Sequence, residues 1–315
     1  MRKDFTTRSI VSGLLIFALP YMLSCFLQTF YGMADLFVTG QFNGADAISA
    51  VSIGSQVMHM LTVMIVGLAM GSTVLISQAV GKKEEKKIRQ AIGNTVVLFS
   101  LLALLLTILL LLSVDGILFL LSTPPEAVAE TRTYLRICFM GIPLIVAYNI
   151  ISCVFRGIGD SRSPLFFILI ACVFNIALDF LLVGGLHLGA AGAALATVIS
   201  QGVSVVCAFY QIRRHDLLPL SFHKEDFRPC KSAIASLLKI GIPVTCQDGF
   251  IQISFLFITA IANSRGVVAA ASVGIVEKII SFLFLVPSAM LSSISAIAAQ
   301  NVGAGKPERA KKTLG

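Results

Sequence analysis

The chain has 315 residues, of which 57% are hydrophobic and only 13% charged, with a formal net charge of +8. A soluble domain carries about 25% charged residues, so a water-soluble globule is excluded: too few polar side chains are present to cover one. The mean hydropathy of +0.91 and the recurrence of apolar windows of about 18 residues or more predict an all-α, polytopic membrane protein.

Apolar length and breaker clusters predict spans at about 13–39, 47–80, 92–113, 133–155, 164–184, 189–211, 234–262 and 267–301. The polar connections between them alternate in charge. One side collects Arg2, Lys3 and Arg8, the run Lys82 to Arg89, Arg156 with Arg162, the stretch Arg213 to Lys239, and Lys306 to Lys312. That is 20 of the 24 Lys and Arg residues. The other side holds Arg132, Arg136 and Arg265, and Lys278 falls within a span. Such a bias predicts a cell-membrane protein with its N-terminus in the cytoplasm. The positive charge then reads as topology, and no nucleic-acid partner is expected. The first apolar segment is too long for a cleaved signal peptide. The seven cysteines form no CxxC pair and mostly lie in apolar spans, so no disulfide or metal site is expected.

The sequence also repeats itself. "LIFALP" from Leu15 returns as "LKIGIP" from Leu238, and "LFVTG" from Leu36 as "LFITA" from Leu256. "AISAVSIG" from Ala47 returns as "VVAAASVG" from Val267, and "SQAVG" from Ser77 as "AQNVG" from Ala299. Four blocks in order, at offsets between 220 and 223, predict parallel repeats of six helices. The expected division is a six-helix lobe over 1–220 and the first two helices of a second lobe over 221–315. About eight of an expected twelve spans are then present, as in the N-terminal part of a longer protein.

Four acids fall inside predicted spans: Asp35, Asp179, Asp248 and Glu277. A charge at the bilayer centre costs on the order of 3 kcal/mol, and such residues usually face a cavity and carry function. Asp248 lies about one turn past Pro243, and Glu277 adjoins Lys278, so structural pairing stands beside function for both. Asp35 and Asp179 are the stronger candidates. Asn175 lies one turn before Asp179 and so shares its helix face, and Thr197 in the next span offers a hydroxyl. Two carboxyls, an amide and a hydroxyl could share protons or present hard oxygen ligands to a cation; the alternative is a buried polar knot holding three helices together. Pro20 weakens or bends the first span. Small residues in "GGLHLGAAGAALAT" (Gly184 to Thr197) permit close helix approach, either as plain packing or as a hinge.

Pro20 and Asp35, the "SQAVGKKE" end of the second span, "FRGIGDSRSP" from Phe155, the "NIALD" pair and "GAAGAALAT" together resemble the multidrug and toxic compound extrusion (MATE) transporters, over essentially the whole chain. The resemblance implies two six-helix lobes around a cavity that opens alternately to each side. It further implies export of organic cations and other amphipathic small molecules in exchange for H⁺ or Na⁺, by a monomer without other cofactors. Asp35, Asn175, Asp179 and Thr197 match the family's cation-coupling positions, with Asp35 as the principal switch and Pro20 as the bending point. Gln252 stands about where some branches carry an acid, which weakens the expectation of a second cation site. A lipid-linked oligosaccharide flippase would need several cavity cations, and a non-transporting scaffold would need no titrating site. An enzyme is not expected, because no nucleophile–base pair, metal-ligand spacing or phosphate loop is present.

Overall fold

The computed structural model describes residues 5–7, 9–121, 123–214, 222–264 and 267–314. Over parts of 256–281, Glu277 and Lys278 included, only the backbone is described. The helices in chain order are α1 (Ile10–Phe42), α2 (Ala45–Gly81), α3 (Glu85–Leu120), α4 (Val128–Met140), α5 (Ile142–Gly157), α6 (Arg162–Asp179), α7 (Gly189–Arg214), α8 (Lys231–Ser264), α9 (Val267–Gly303) and α10 (Pro307–Leu314). A π-helical turn, Phe180–Gly185, follows α6, and a 3-10 turn, Lys224–Phe227, precedes α8. No strand occurs among the described residues.

Among the described residues, seven helices are long and apolar enough to cross a membrane, or eight if α4 and α5 form one span. Helices are the expected solution, because hydrocarbon offers no partner for backbone N–H and C=O groups and a helix satisfies them internally. Large apolar side chains on the outer faces, such as Leu101, Leu104, Leu105 and Leu112 of α3, stay exposed, as they would against lipid. Most helices overrun their predicted spans. With 37 residues, α2 is about 55 Å long against a hydrocarbon core of about 30 Å.

Two predicted spans are irregular. The span over 133–155 is broken into α4 and α5, which meet at 47°. Pro143, at the start of α5, has no N–H to give to the preceding turn. Gly141 at the break lies so close to Val198 of α7 that any Cβ there would collide with it. The second irregularity is the π-helical turn after Asp179, where the Leu186 N–H donates to the Leu181 carbonyl at 2.9 Å, one residue further back than in an α-helix. Pro20, by contrast, leaves α1 helical throughout, and the Ser24 hydroxyl donates to the Pro20 carbonyl at 2.9 Å.

The core centres on α2, which packs against α1, α3, α4, α5, α8 and α9. Gly71 of α2 meets the Leu237 carbonyl of α8, and Gly241 of α8 meets the Leu68 carbonyl of α2 at 2.7 Å from a built Cβ. Near the end of α2, Gly81 lies against the Gln300 carbonyl, and Gly303 of α9 lies against the Gln78 carbonyl. A methyl group on either glycine would strike the backbone opposite. These contacts are reciprocal at one offset, since 81 and 303, and 78 and 300, both differ by 222. The turns that follow obey the same offset: Lys83 (φ 57°) and Gly305 (φ 72°) both adopt the left-handed conformation. Reciprocity of this kind is what two-fold related surfaces produce.

Candidate functional site

Asp35 comes from the second half of α1, Asn175 and Asp179 from the end of α6, and Thr197 from the first half of α7. Packing of α1, α6, α7 and the π-helical turn against one another brings these four together. Asn175 and Asp179 are fully buried and Asp35 is 3% exposed. The Thr197 hydroxyl donates to Asp35 Oδ2 at 3.1 Å. Asp179 and Asn175 lie within side-chain reach of Asp35. Close packing is what seats Thr197 there. Gly192 of α7 rides on Leu182 and Val183 of the π-helical turn, and Ala190, Ala193, Ala194 and Ala196 are almost wholly buried.

The site is not satisfied internally. Asp35 Oδ1, both carboxyl oxygens of Asp179, and both polar atoms of the Asn175 amide are buried without a hydrogen-bond partner among the described residues. A polar group left so in a low-dielectric setting costs roughly 1–3 kcal/mol, more when charged. Two adjacent carboxylates also repel, so the pair is stable only with a shared proton or a cation between the oxygens. The donor set of carboxylate, amide and hydroxyl oxygens is of the kind that suits a hard cation. No group of three or more His, Cys, Asp or Glu residues able to hold a metal occurs among the described residues.

The surroundings add residues that sequence reasoning passed over. Tyr31 lies one turn before Asp35 on α1, and its hydroxyl accepts from Gln201 Nε2 at 3.3 Å. Thr39, one turn after Asp35, is fully buried with its hydroxyl unpartnered among the described residues. Tyr134 and Cys138 of α4 and Cys172 of α6 also approach Asp35. The signal was available as spacing, since Tyr31, Asp35 and Thr39 fall at four-residue intervals, as do Thr197 and Gln201.

Other sequence candidates lie elsewhere. Pro20 sits fifteen residues before Asp35, roughly 22 Å along the helix. Asp248 is half-buried on α8 with its carboxyl against Gly67 of α2, and Gln252, one turn on, is also half-buried. Neither is among the groups facing Asp35. The side chain of Glu277 lies outside the described residues. Arg156, counted from sequence among the polar connections, is instead 4% exposed at the end of α5, with its guanidinium 4.8 Å from the centre of the Tyr21 ring. A planar, weakly hydrated cation over an aromatic face tolerates this burial better than an ammonium would.

The MatE family model matches residues 20–181 and 243–315. The chain belongs to the MatE family. The "Probable multidrug resistance protein YpnP" of Bacillus subtilis (strain 168) is 32% identical over 306 residues, which cover 97% of this chain and 68% of that protein. The "Multidrug export protein MepA" of Staphylococcus haemolyticus (strain JCSC1435) is 26% identical over 311 residues, covering 98% of this chain and 68% of that protein. A solved structure described as the outward-facing conformation of a multidrug resistance MATE family transporter superposes with a TM-score of 0.90 at 20% identity, over 98% of this chain and 68% of the other. MatE proteins are transporters rather than enzymes. The all-α, multi-pass membrane fold expected from sequence is therefore the fold of this family.

Proposed function

We propose that the chain forms most of a secondary antiporter that exports small amphipathic or cationic compounds in exchange for H⁺ or Na⁺. The observation that carries this is the buried cluster of Asp35, Asn175, Asp179 and Thr197, with five polar atoms left unpartnered. A site built so takes up a cation and must change when the cation leaves. The names of the related proteins, multidrug resistance and multidrug export, support the choice of substrate class. Coupling requires drug and ion to disfavour each other's binding, typically by 1–3 kcal/mol, or about 5–150-fold. In this reading Asp35 is the switch, Asn175, Asp179 and Thr197 complete its ligand set, and Pro20 supplies the compliant point of α1. No cofactor other than the coupling ion takes part.

The two-lobe division at 1–220 and 221–315 belongs to the same proposal and is supported by the reciprocal contacts of Gly81 and Gly303. So does a cell-membrane location as a monomer with the basic end in the cytoplasm, supported by the charge bias. The test is efflux of a fluorescent organic cation from liposomes holding the full-length protein, under a pH gradient and then under a Na⁺ gradient. Gradient-driven efflux that disappears in Asp35→Asn supports the proposal and names the ion. Efflux that survives the substitution moves the coupling elsewhere, and no efflux under either gradient removes the antiporter reading.

A further inference from the structure

At the basic end of the bundle, the short segments before α1 and α8 are both docked, by different contacts: Phe5 is buried, whereas Phe227, 222 residues on, is 38% exposed. Phe5 is 3% exposed, packs edge-on against Phe17 with ring centroids 5.9 Å apart, and shares a cluster with Ala296 and Ile297 of α9. Its N–H donates to Gln300 Oε1 at 3.0 Å. Its carbonyl accepts from Arg309 Nη2 at 3.4 Å, and the Thr6 carbonyl accepts from Lys306 Nζ at 2.9 Å. Residues 5–6, which lead into α1, are thus held by α9 and by the start of α10.

The counterpart leads into α8 and is held by the start of α3. Asp226 pairs with Arg89 Nε at 3.3 Å, and its carboxylate also accepts from the His223 N–H at 2.9 Å. The Asp226 carbonyl lies against Gly93, where any Cβ would collide. The Cys230 N–H donates to Asn94 Oδ1 at 2.7 Å, and Asn94 Nδ2 reaches the Arg228 carbonyl at 3.5 Å. Asp4-Phe5 and Asp226-Phe227 stand 222 apart, the offset that also relates Gly81 to Gly303 and Lys83 to Gly305.

We propose that these segments are a pair of clasps, each tying the entrance of one repeat to the corner after the second helix of the other, which together keep the basic end of the bundle closed. Residues 5–6 belong to the first repeat and grip the second; residues 226–230 belong to the second and grip the first. A motion that parts the repeats at this end must break both, whereas opening at the far end leaves both intact. The inference rests on the two-lobe division proposed above, and not on the identity of substrate or ion.

The test uses the full-length protein in detergent, with the seven native cysteines replaced and a reporter at Ala296→Cys, a site now 3% exposed between α1 and α9. The readout is the rate of labelling by a maleimide. Asp226→Asn, which removes a charge-assisted contact on the opposite clasp, is expected to raise that rate about tenfold. Phe5→Ala raises it as well, but acts on the reporter directly. Lys87→Ala breaks only an exposed pair, with Glu84 at 2.7 Å, and leaves the rate unchanged. If Asp226→Asn does not assemble, Arg89→Gln probes the same contact. An unchanged rate in the Asp226 and Arg89 variants, or an equal rise in Lys87→Ala, overturns the proposal. Because the readout contains neither substrate nor coupling ion, failure of the antiporter reading would leave it standing.

Discussion

Replacing Asp35 by Asn tests the site at its most exposed assumption, that two buried carboxyls share one cation. Asp35 and Asp179 lie within side-chain reach of each other, and two unit charges at about 4 Å serve as the reference case. At an effective dielectric constant of 20 the repulsion is about 4 kcal/mol. A bound ion relieves that repulsion, so the pair tightens ion binding by up to about three decades at 1.4 kcal/mol per decade. Asn keeps the shape but removes one charge, and the gain goes with it. The assay is the melting temperature of the detergent-solubilised full-length protein, titrated with Na⁺ at fixed pH and with acid at fixed ionic strength. Ion at 100 times its dissociation constant stabilises the wild type by about 2.7 kcal/mol, a rise of roughly 3 °C for a protein of this size. In Asp35→Asn the curve for the coupling ion is expected to be flat over the same range. A variant that keeps the wild-type midpoint and amplitude would refute the argument, because the ion would then be held without Asp35.

Three further outcomes follow from particular contacts. Gly81→Ala and Gly303→Ala each drive a methyl group into a carbonyl of the opposite helix; each is expected to cost about 1–3 kcal/mol, by nearly equal amounts, as thermal melts of the two variants would show. Tyr21→Leu removes the ring beneath Arg156 and is expected to destabilise by roughly 2 kcal/mol, while Tyr21→Phe keeps the face and loses much less. Asp115→Asn breaks the pair with Arg132 at 2.8 Å, whose side chains are 68% and 40% exposed; its melting temperature is expected to stay within the range of about 1 kcal/mol.

The parts of the fold legible in the sequence are those that depend on local composition. Apolar length marks the spans, because the bilayer selects for it residue by residue. Asn175 and Asp179 are readable as one face because four residues make about one turn. That Asp35 and Thr197 join them follows from the packing of α1 on α6 and α7, which no single-helix pattern records. The π-helical turn after Asp179 was not anticipated. "FLLVGG" differs from an α-helical ending only in where its carbonyls find donors, and the turn packs closely on Gly192 through Leu182 and Val183 of the π-helical segment, a tertiary contact that no local pattern records. The break at Gly141 carried a visible cue in Pro143, yet its sharpness depends on Val198 of another helix. Arg156 stands at the end of its apolar run, as read from the sequence, but its burial beside the Tyr21 ring depends on another helix and has no local signal.

In the proposed repeat, weak sequence similarity and close backbone geometry support each other. "SQAVG" and "AQNVG" share three of five residues, little enough to arise by chance between apolar helices. The structure gives one shared residue, glycine, a reason to be kept at both positions. Each of Gly81 and Gly303 faces the backbone of the other helix at closest approach, so neither position accepts a side chain while the other half stays in place. The same offset governs Lys83 and Gly305, whose backbones turn alike although one carries a long side chain and the other none. In the sequence it also separates the Asp-Phe dipeptides at 4–5 and 226–227. Glycine recurs at the proposed offset where the backbones meet at Gly81 and Gly303, but not at the close approaches of Gly71 and Gly241, whose positions at that offset hold Ser293 and Leu19. On that account, substitutions paired at an offset of 222 perturb the molecule in equivalent ways wherever both members lie on the shared surface, and independently wherever they do not.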